Sequence, residues 1–498
     1  MSGIATKTKK YAILFHRWLG VAFCILFALW FVSGIVMMYW TFPEITQREA
    51  LERAPALDAA AVKLSAAEAF EKIQPADTPT RASLETLNGR PIYRFYWGRD
   101  QLGVWADTGE PFEAVTESLA RSVAARFTGQ AASSVRFEGR ITEADQWTVQ
   151  SNYRSHMPLL KFSWPDGEEV YVSSVTGEAV QHSTRGSRIG AYFGAIPHWL
   201  YFLPLRENTK LWNDVVVWSS GIGTIMSLLG IAIGLWLYSP SKRYRFPGGA
   251  RSVPYTGQKR WHTILGLFFG LTVCTWAFSG MMSMEPFDLS WGRRSPRVAG
   301  SLQDNLPELG AFAARHPRDV IASLAGSFEV KRLELGSFAG EPLYIATEAE
   351  HHTSIIPMAG TAREAFDTGA IEQSLLNATR SQSIAEKRLV TEFEAYYVDR
   401  HGQRPLPVLY YRLNDEAGSA FYVDPKTARV VARYGAGSRL NRWLYHGLHS
   451  LDFPILYRYR PLWDIVVLAL MLGGTALCVT SLVIAWRRLK RKAVQLSH

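Results

Sequence analysis

Four long apolar runs stand out along the chain. They cover residues 18–43, 215–240, 261–284 and 465–486, with 26, 26, 24 and 22 residues, and none contains Asp, Glu, Lys or Arg. A helix of about 20 residues crosses the ~30 Å hydrocarbon layer of a bilayer. A buried core helix could account for one such run, but four uncharged runs favour membrane insertion. The sequence therefore predicts four transmembrane helices in a lipid bilayer.

The two long segments between these runs have a mixed, shorter pattern. Short β-branched and aromatic stretches alternate with helical ones and are bounded by turn dipeptides such as Asn88-Gly89 and Asp166-Gly167. This pattern predicts antiparallel hairpins with covering helices, so each segment is expected to form an α+β domain. The expected strands are 91–96, 168–172, 342–346, 408–413 and 420–423, and the expected helices include 64–73 and 112–127.

The chain resembles itself at a fixed spacing. The segment HRWLG at 16–20 matches HTILG at 262–266, and Ser33-Gly34 matches Ser279-Gly280 at the same offset of 246. Residues 172–178 resemble 423–429 at an offset of 251, which also places His198 on His449 and Trp212 on Trp463. Such self-similarity predicts two tandem halves, each made of a helix, an outside domain and a second helix.

The charge distribution predicts the orientation of the helices. The net charge is +10, and 14 of the 54 basic residues lie in three short segments without acidic residues, at 7–10, 242–260 and 487–492. The remaining 40 basic residues face 44 acidic ones, so nucleic acid is not an expected partner. The positive-inside rule places both termini and the short loop in the cytoplasm and the two long segments outside.

Histidines at the ends of the apolar runs are the candidate chemistry. His16 and His262 lie at equivalent cytoplasmic positions, and His198, His446 and His449 lie on the outer side. A single boundary histidine is commonly only an interfacial polar residue. Two apolar, aromatic-rich sites with two imidazoles each suit two bis-histidine b-type haems, with these histidines as axial ligands of the iron. No C-x-x-C-H motif occurs, so c-type haem has no support.

Two questions about these sites stay open in the sequence. His446 and His449 are three residues apart, a spacing that places both on one face of a helix. The repeat offset favours His449, whereas the aromatic neighbours of His446 favour that residue. Arginines near the sites could bind haem propionates or could simply anchor the helices: Arg17 and Arg260 inside, and Arg188, Arg439 and Arg442 outside.

The chain resembles the PepSY-associated transmembrane helix family. The resemblance is carried by the strand-turn-strand units at 170–180 and 420–431, the two histidine-led helices, and the segments IPHWLYFLP at 196–204 and YHGLHSLDFP at 445–454. It implies a bacterial inner-membrane reductase that passes electrons outward to a periplasmic ferric-siderophore complex. The electron donor would be membrane quinol or a cytoplasmic reductase, since no nucleotide- or flavin-binding motif is present.

Two other functions are compatible with the same family. A membrane-anchored PepSY protein could act only by binding or regulating a partner, with incidental histidines. A transporter is disfavoured because the four runs contain no intramembrane carboxylate or lysine.

The predicted fold is thus an α-helical four-helix membrane bundle built from two tandem repeats, with two periplasmic α+β PepSY-like domains. The predicted boundaries are a cytoplasmic N-terminus (1–10), helix one (11–42), the first periplasmic domain (43–187), an outer interfacial segment (188–212), helix two (213–239), a cytoplasmic loop (240–260), helix three (261–284), the second periplasmic domain (285–438), a second interfacial segment (439–462), helix four (463–486) and a cytoplasmic tail (487–498).

Overall fold

The computed structural model describes residues 2–74, 77–98, 100–380, 383–400 and 402–496. The chain divides into two compact units. The helical unit consists of Met1–Phe42, Gly186–Leu289 and Ser438–His498. The sheet unit consists of Pro43–Arg185 and Ser290–Gly437. Met1 and residues 497–498 of the predicted cytoplasmic termini lie outside the described residues.

Both units contain helices, which are numbered in chain order. They are α1 (Ser2–Met37), α2 (Gln47–Arg53), α3 (Ala66–Glu71), α4 (Glu117–Thr128), α5 (Arg185–Phe193), α6 (Ala195–Trp199), α7 (Leu203–Arg206), α8 (Thr209–Leu237), α9 (Gly257–Met282), α10 (Pro317–Leu324), α11 (Thr368–Thr379), α12 (Ala436–Arg442), α13 (Leu448–Ser450), α14 (Pro454–Tyr457) and α15 (Arg460–Leu496). A single π-helical turn, Trp443–Gly447, lies between α12 and α13.

Four of these helices are long and apolar enough to cross a membrane: α1, α8, α9 and α15. They correspond to the four predicted spans, so that prediction is confirmed. Helix α1 begins well before its apolar run, and α15 continues past residue 486 because the segment that follows consists mostly of good helix formers such as Arg, Lys and Ala. The basic termini are therefore extensions of membrane helices.

The four long helices pack around an aromatic core. Phe27 and Phe31 of α1 meet Met226 of α8 and Trp276 of α9 in this core. Glycines allow the close approach: a Cβ atom at Gly223 would lie 2.6 Å from the Phe27 ring, and one at Gly474 would overlap the Phe31 ring. The bundle is thus held by large rings seated on small residues of the neighbouring helices.

The sheet unit contains one six-stranded and two four-stranded antiparallel sheets. The strands of the unit are β1 (Arg81–Leu87), β2 (Arg90–Trp97), β3 (Asp100–Trp105), β4 (Arg136–Ile141), β5 (Leu159–Ser163), β6 (Glu169–Ser173), β7 (Ala179–Ser183), β10 (Arg332–Phe338), β11 (Glu341–Ala349), β12 (His352–Pro357), β13 (Ile384–Val390), β14 (Val408–Leu413), β15 (Ala420–Asp424) and β16 (Arg429–Tyr434). The intervening β8 (Tyr244–Phe246) and β9 (Gly249–Arg251) form a hairpin in the helical unit. The six-stranded sheet has the order β12-β11-β10-β1-β2-β3, and the smaller sheets have the orders β4-β5-β6-β7 and β13-β14-β15-β16. All the strands expected from the sequence are present.

The two outside segments do not form the two separate domains expected from the sequence. Strand β1 of the first segment pairs antiparallel with β10 of the second, with Ser83 opposite Glu334. This pairing joins two three-stranded sheets into one and removes an exposed edge from each. The segments therefore form a single compact unit.

The same order of elements occurs in both halves of the chain. Each half has a long helix, one or two short α-helices, three strands, a helix of 12 residues, four strands, several short helices and a second long helix. Left-handed backbone conformations also recur at an offset of 251, at Asn88 and Ala339, Gly89 and Gly340, Gly129 and Arg380, Gly177 and Ala428, and Leu200 and Leu451. Turns therefore occupy matching positions even where the residue type differs.

A histidine in the sheet unit lies between two carboxylates. His182 of β7 contacts Glu49 of α2 through Nδ1 at 3.1 Å and Glu168 through Nε2 at 2.6 Å. Arg53 binds the same Glu49 at 3.0 Å. Burial lowers the pKa of His182, but hydrogen bonds and charge from Glu49 and Glu168 outweigh burial and raise it above the usual value.

We expect this cluster to make the sheet unit less stable as pH rises. Since the pKa of His182 is higher in the folded state, its stabilisation is complete below the unfolded value of about 6.5 and is lost as pH rises through the folded value. Replacing His182→Gln should flatten the dependence of the unfolding temperature on pH in this range. Equal slopes in the wild-type and His182→Gln proteins would contradict the prediction.

Candidate functional site

Two of the predicted ligands meet near one end of the helical bundle. His16 projects from α1 and His262 from α9, and their ring centroids are 6.2 Å apart with planes inclined by 38°. Both lie close to the N-terminal ends of the apolar parts of their helices, as the repeat predicts. The structure therefore brings these two imidazoles close together within the bundle.

A second pair of imidazoles meets outside the long helices. His198 lies on α6 and His449 on α13, and their ring centroids are 5.9 Å apart with planes inclined by 65°. His446 belongs to the π-helical turn and packs against Tyr445, with ring centroids 4.3 Å apart. Between the two candidates left open by the sequence, His449 is thus the one opposite His198.

The spacing within each pair fits a metal held between two imidazoles. A transition metal lies about 2 Å from an imidazole nitrogen, and that nitrogen is about 1 Å from its ring centre, so two trans ligands have centroids about 6 Å apart. The observed values are 6.2 Å and 5.9 Å. Two rings stacked directly on each other could have their centroids closer together than these values. The residues present therefore fit bis-histidine ligation in both pairs.

The hydrogen bonds of the inner pair orient its rings for that role. His16 donates from Nδ1 to the carbonyl oxygen of Met226 at 2.9 Å. Nδ1 of His262 is 3.2 Å from the Thr480 hydroxyl, which itself donates to the Leu477 carbonyl at 2.7 Å. Because the single hydrogen of the Thr480 hydroxyl is used in that bond, its oxygen accepts a hydrogen bond from Nδ1 of His262. Both rings therefore carry hydrogen on Nδ1 and keep the Nε2 lone pair for a ligand.

The outer pair is oriented in the same way. His198 donates from Nδ1 to the carbonyl oxygen of Trp30 at 3.1 Å. Nδ1 of His449 lies 3.0 Å from the Ser279 hydroxyl. The segments that carry both histidines are fixed by equivalent bonds, because the indole of Trp212 donates to the Trp199 carbonyl and that of Trp463 to the Ser450 carbonyl, each at 2.8 Å.

Small residues follow each inner histidine by one helical turn. A Cβ atom added at Gly20 would have no neighbour within 4 Å, and one at Gly266 would meet only Leu477 at 3.9 Å, among the residues that the structure describes. Residues four apart lie on the same face of a helix. The helix faces that carry His16 and His262 therefore have no side chain one turn beyond each imidazole.

The predicted arginines have different environments. Arg17 is exposed, whereas Arg188, Arg260 and Arg439 are partly buried. Arg439 has a buried Nη2 atom without a hydrogen-bond partner in the described part of the chain. Arg442 is 5% exposed, donates to the Asp452 carbonyl at 2.7 Å and lies over the Trp443 ring. Arg439 thus has donor capacity left for a carboxylate, and Arg442 anchors the turn before His449.

The contacts that orient the histidines were not predicted from the sequence. Ser279 appears there only as one half of a repeated Ser-Gly pair, and nothing local marks Met226 or Thr480 as partners of a histidine. No group of three or more His, Cys, Asp or Glu side chains that could hold a metal ion occurs among the residues that the structure describes. The two histidine pairs are therefore the site that chemistry and geometry single out.

Comparison with known proteins agrees with the architecture. The sequence model of the family described as PepSY-associated TM region matches residues 13–488, which include the apolar cores of all four long helices and all four histidines of the two pairs. No curated protein matches the sequence. Since the match covers nearly the whole chain, this protein belongs to the PepSY-associated TM region family.

Proposed function

We propose that this protein is a membrane electron conduit that holds two b-type haems, one between His16 and His262 and one between His198 and His449. The observation that carries the proposal is the recurrence of one geometry at two places: ring centroids about 6 Å apart, with Nδ1 of each imidazole hydrogen-bonded. Bound haem would supply one-electron redox chemistry that no side chain provides.

The position of the two pairs along the bundle suits transfer across a bilayer. Ser33, at the level of His198, is 17 residues after His16, and Ser279, at the level of His449, is 17 residues after His262. At a rise of 1.5 Å per residue this corresponds to about 25 Å. The two sites thus lie near opposite ends of the apolar helices and divide the path of an electron.

The direction of transfer follows from the charge pattern and the family resemblance. The positive-inside rule favours a cytoplasmic location for the basic segments. In this orientation the inner pair would lie on the cytoplasmic side of a bacterial inner membrane, and the sheet unit, with its PepSY-like hairpins, would lie in the periplasm. Membrane quinol or a cytoplasmic reductase would supply electrons one at a time. Each electron would convert one ferric ion of a periplasmic siderophore complex to the ferrous state.

The matching left-handed turns support an origin of the two halves by duplication.

The first test is the haem content of the purified protein. We expect two b-type haems per chain, measured as the pyridine complex, and reduced-minus-oxidised spectra typical of low-spin haem. The matched control is the variant His16→Ala/His262→Ala/His198→Ala/His449→Ala, which should be colourless. A colourless wild-type protein after haem-sufficient expression would overturn the proposal and favour a membrane-anchored binding protein.

The second test follows electrons to the acceptor. Dithionite-reduced protein, freed of excess reductant under anaerobic conditions, should be reoxidised by a ferric-siderophore complex, with one ferrous ion trapped per haem oxidised. A gallium complex of the same siderophore is the control, because Ga³⁺ is not reduced under these conditions. Reoxidation by neither complex would exclude ferric chelates as acceptors.

A substitution in α8 should remove only the inner haem. A Cβ atom at Gly230 would lie 2.7 Å from Cε1 of His16, so Gly230→Ala must displace this imidazole from the Met226 carbonyl and from His262. We expect the haem content to fall from two to one per chain. The control is Gly221→Ala, whose Cβ meets only the flexible Met281 sulfur at 3.3 Å. Two haems in Gly230→Ala would show that His16 tolerates the shift and would contradict the prediction.

A further inference from the structure

We propose that Ser33 and Ser279 are positioning residues that orient the two outer histidines and set their donor strength. This inference rests on the proposed function, since it concerns the residues behind the outer pair. Ser33 precedes Gly34 and Ser279 precedes Gly280, so these serines are the repeated Ser-Gly pair of the sequence. Both side chains are buried, with exposed fractions of 1% and 0%.

Each serine makes the same two contacts. The Ser33 hydroxyl donates to the Trp30 carbonyl at 3.2 Å and lies 3.3 Å from Nδ1 of His198. The Ser279 hydroxyl donates to the Trp276 carbonyl at 3.1 Å and lies 3.0 Å from Nδ1 of His449. The serines are related by an offset of 246 and the histidines by 251. The same arrangement is therefore made twice, by separate parts of the chain.

The direction of these hydrogen bonds is determined by proton count. A serine hydroxyl has one hydrogen and two lone pairs, and here the hydrogen is directed to the carbonyl three residues earlier. Its oxygen can then only accept from the imidazole, so His449 must carry its hydrogen on Nδ1. The Nδ1 hydrogen of His198 is shared between the Ser33 hydroxyl at 3.3 Å and the Trp30 carbonyl at 3.1 Å, and both acceptors require the same tautomer. The opposite nitrogen, Nε2, is left with the lone pair that binds iron.

The outer histidines need such support more than the inner ones do. His16 and His262 project from helices of 36 and 26 residues, whereas His198 and His449 lie on helices of five and three residues. Isolated helices this short are unstable, so their own backbone does not hold a side chain in place. The serines connect each outer imidazole to a long membrane helix of the same half.

The contact also has an electronic consequence. An acceptor at Nδ1 increases the basicity of the ligating Nε2, and a more basic ligand stabilises ferric over ferrous iron. The serines therefore lower the midpoint potential of the outer haem. A lower potential strengthens this site as a reductant for an acceptor outside the membrane.

The experiment uses the full-length His16→Ala protein, in which only the outer haem should be bound. Into this background we would introduce Ser33→Ala, Ser279→Ala and both together. The matched control is Ser227→Ala, a buried serine of α8 whose hydroxyl donates to the Gly223 carbonyl at 2.9 Å. Haem content, the redox midpoint and the largest g-value of the ferric haem are measured for each protein.

We expect the double variant either to retain its haem with a higher midpoint potential and an altered g-value, or to lose the haem. Ser227→Ala should match the His16→Ala parent in all three measurements. Ser33→Thr and Ser279→Thr keep the hydroxyl and should restore the parental potential, which separates positioning from a packing defect. If the double variant retains its haem with an unchanged midpoint potential and g-value, the inference about the serines is overturned, but the proposed function is not. A wild-type protein without haem would overturn the proposed function together with it.

Discussion

Replacing His449→Ala is expected to remove one of the two haems per chain, whereas replacing His446→Ala is expected to remove none. The ring of His449 lies 5.9 Å from that of His198, whereas His446 packs on Tyr445. An axial imidazole replaced by a methyl group leaves the iron without one of its two protein ligands. Haem quantified as the pyridine complex should fall from two per chain to one for His449→Ala only.

The double variant His16→Ala/His449→Ala extends this test. It should carry no haem, because one ligand is missing from each pair, and the two single variants should each keep the haem that the other loses. Redox titration should then give one component per single variant and two in the wild-type protein. Loss of haem from His446→Ala with retention in His449→Ala would exchange the roles of the two histidines.

The largest expected effect on stability is in the six-stranded sheet. Arg94 of β2 is 1% exposed, and its Nε donates to Glu85 of β1 at 2.9 Å. Glu85 also binds Arg332 of β10 at 3.3 Å. Burial raises the pKa of the nearby Glu178 carboxyl, and the negative charge of Glu85 raises it further. Removing Arg94 would leave the Glu85 carboxylate buried and only partly compensated.

We expect Arg94→Met to lower the free energy of unfolding of the sheet unit by about 3–5 kcal/mol. Hydrogen exchange followed by mass spectrometry on the full-length protein reports this loss in peptides from β1, β2 and β10. The control is Arg90→Met on the same strand, which removes a more exposed pair with Asp107 and a contact over the Trp105 ring, and which should cost less than Arg94→Met. Equal protection in the two variants would show that the buried pair contributes no more than an exposed one.

The elements that depend on local pattern were predicted well from the sequence. Four uncharged runs suffice for the long helices, and alternating short runs suffice for strands such as β2 and β14, because both signals are contained within a few neighbouring residues. The pairing of His16 with His262 also followed from sequence, since an internal repeat converts two distant positions into equivalent ones.

Features that depend on long-range contacts were not predictable in this way. The pairing of β1 with β10 joins residues about 250 positions apart and has no local signal. His446 and His449 would share a face on a regular helix, but a π-helical turn ends at Gly447 and α13 begins at Leu448, which changes the direction of successive side chains. The hydrogen bond from Arg442 to the Asp452 carbonyl likewise joins residues that no local pattern pairs.

The register between β1 and β10 has a consequence for the origin of this chain. Ser83 pairs with Glu334, its own counterpart at the offset of 251, while Ala82 pairs with Leu335 and Leu84 with Leu333. Exchanging the two halves therefore leaves the register unchanged, which is the property of an isologous interface with two-fold symmetry. A half-length ancestor would have formed the same six-stranded sheet as a homodimer, and each of its membrane sites would have required a histidine from both copies. Gene fusion would then have allowed the two copies to diverge, so that the ligands of one haem could be tuned separately.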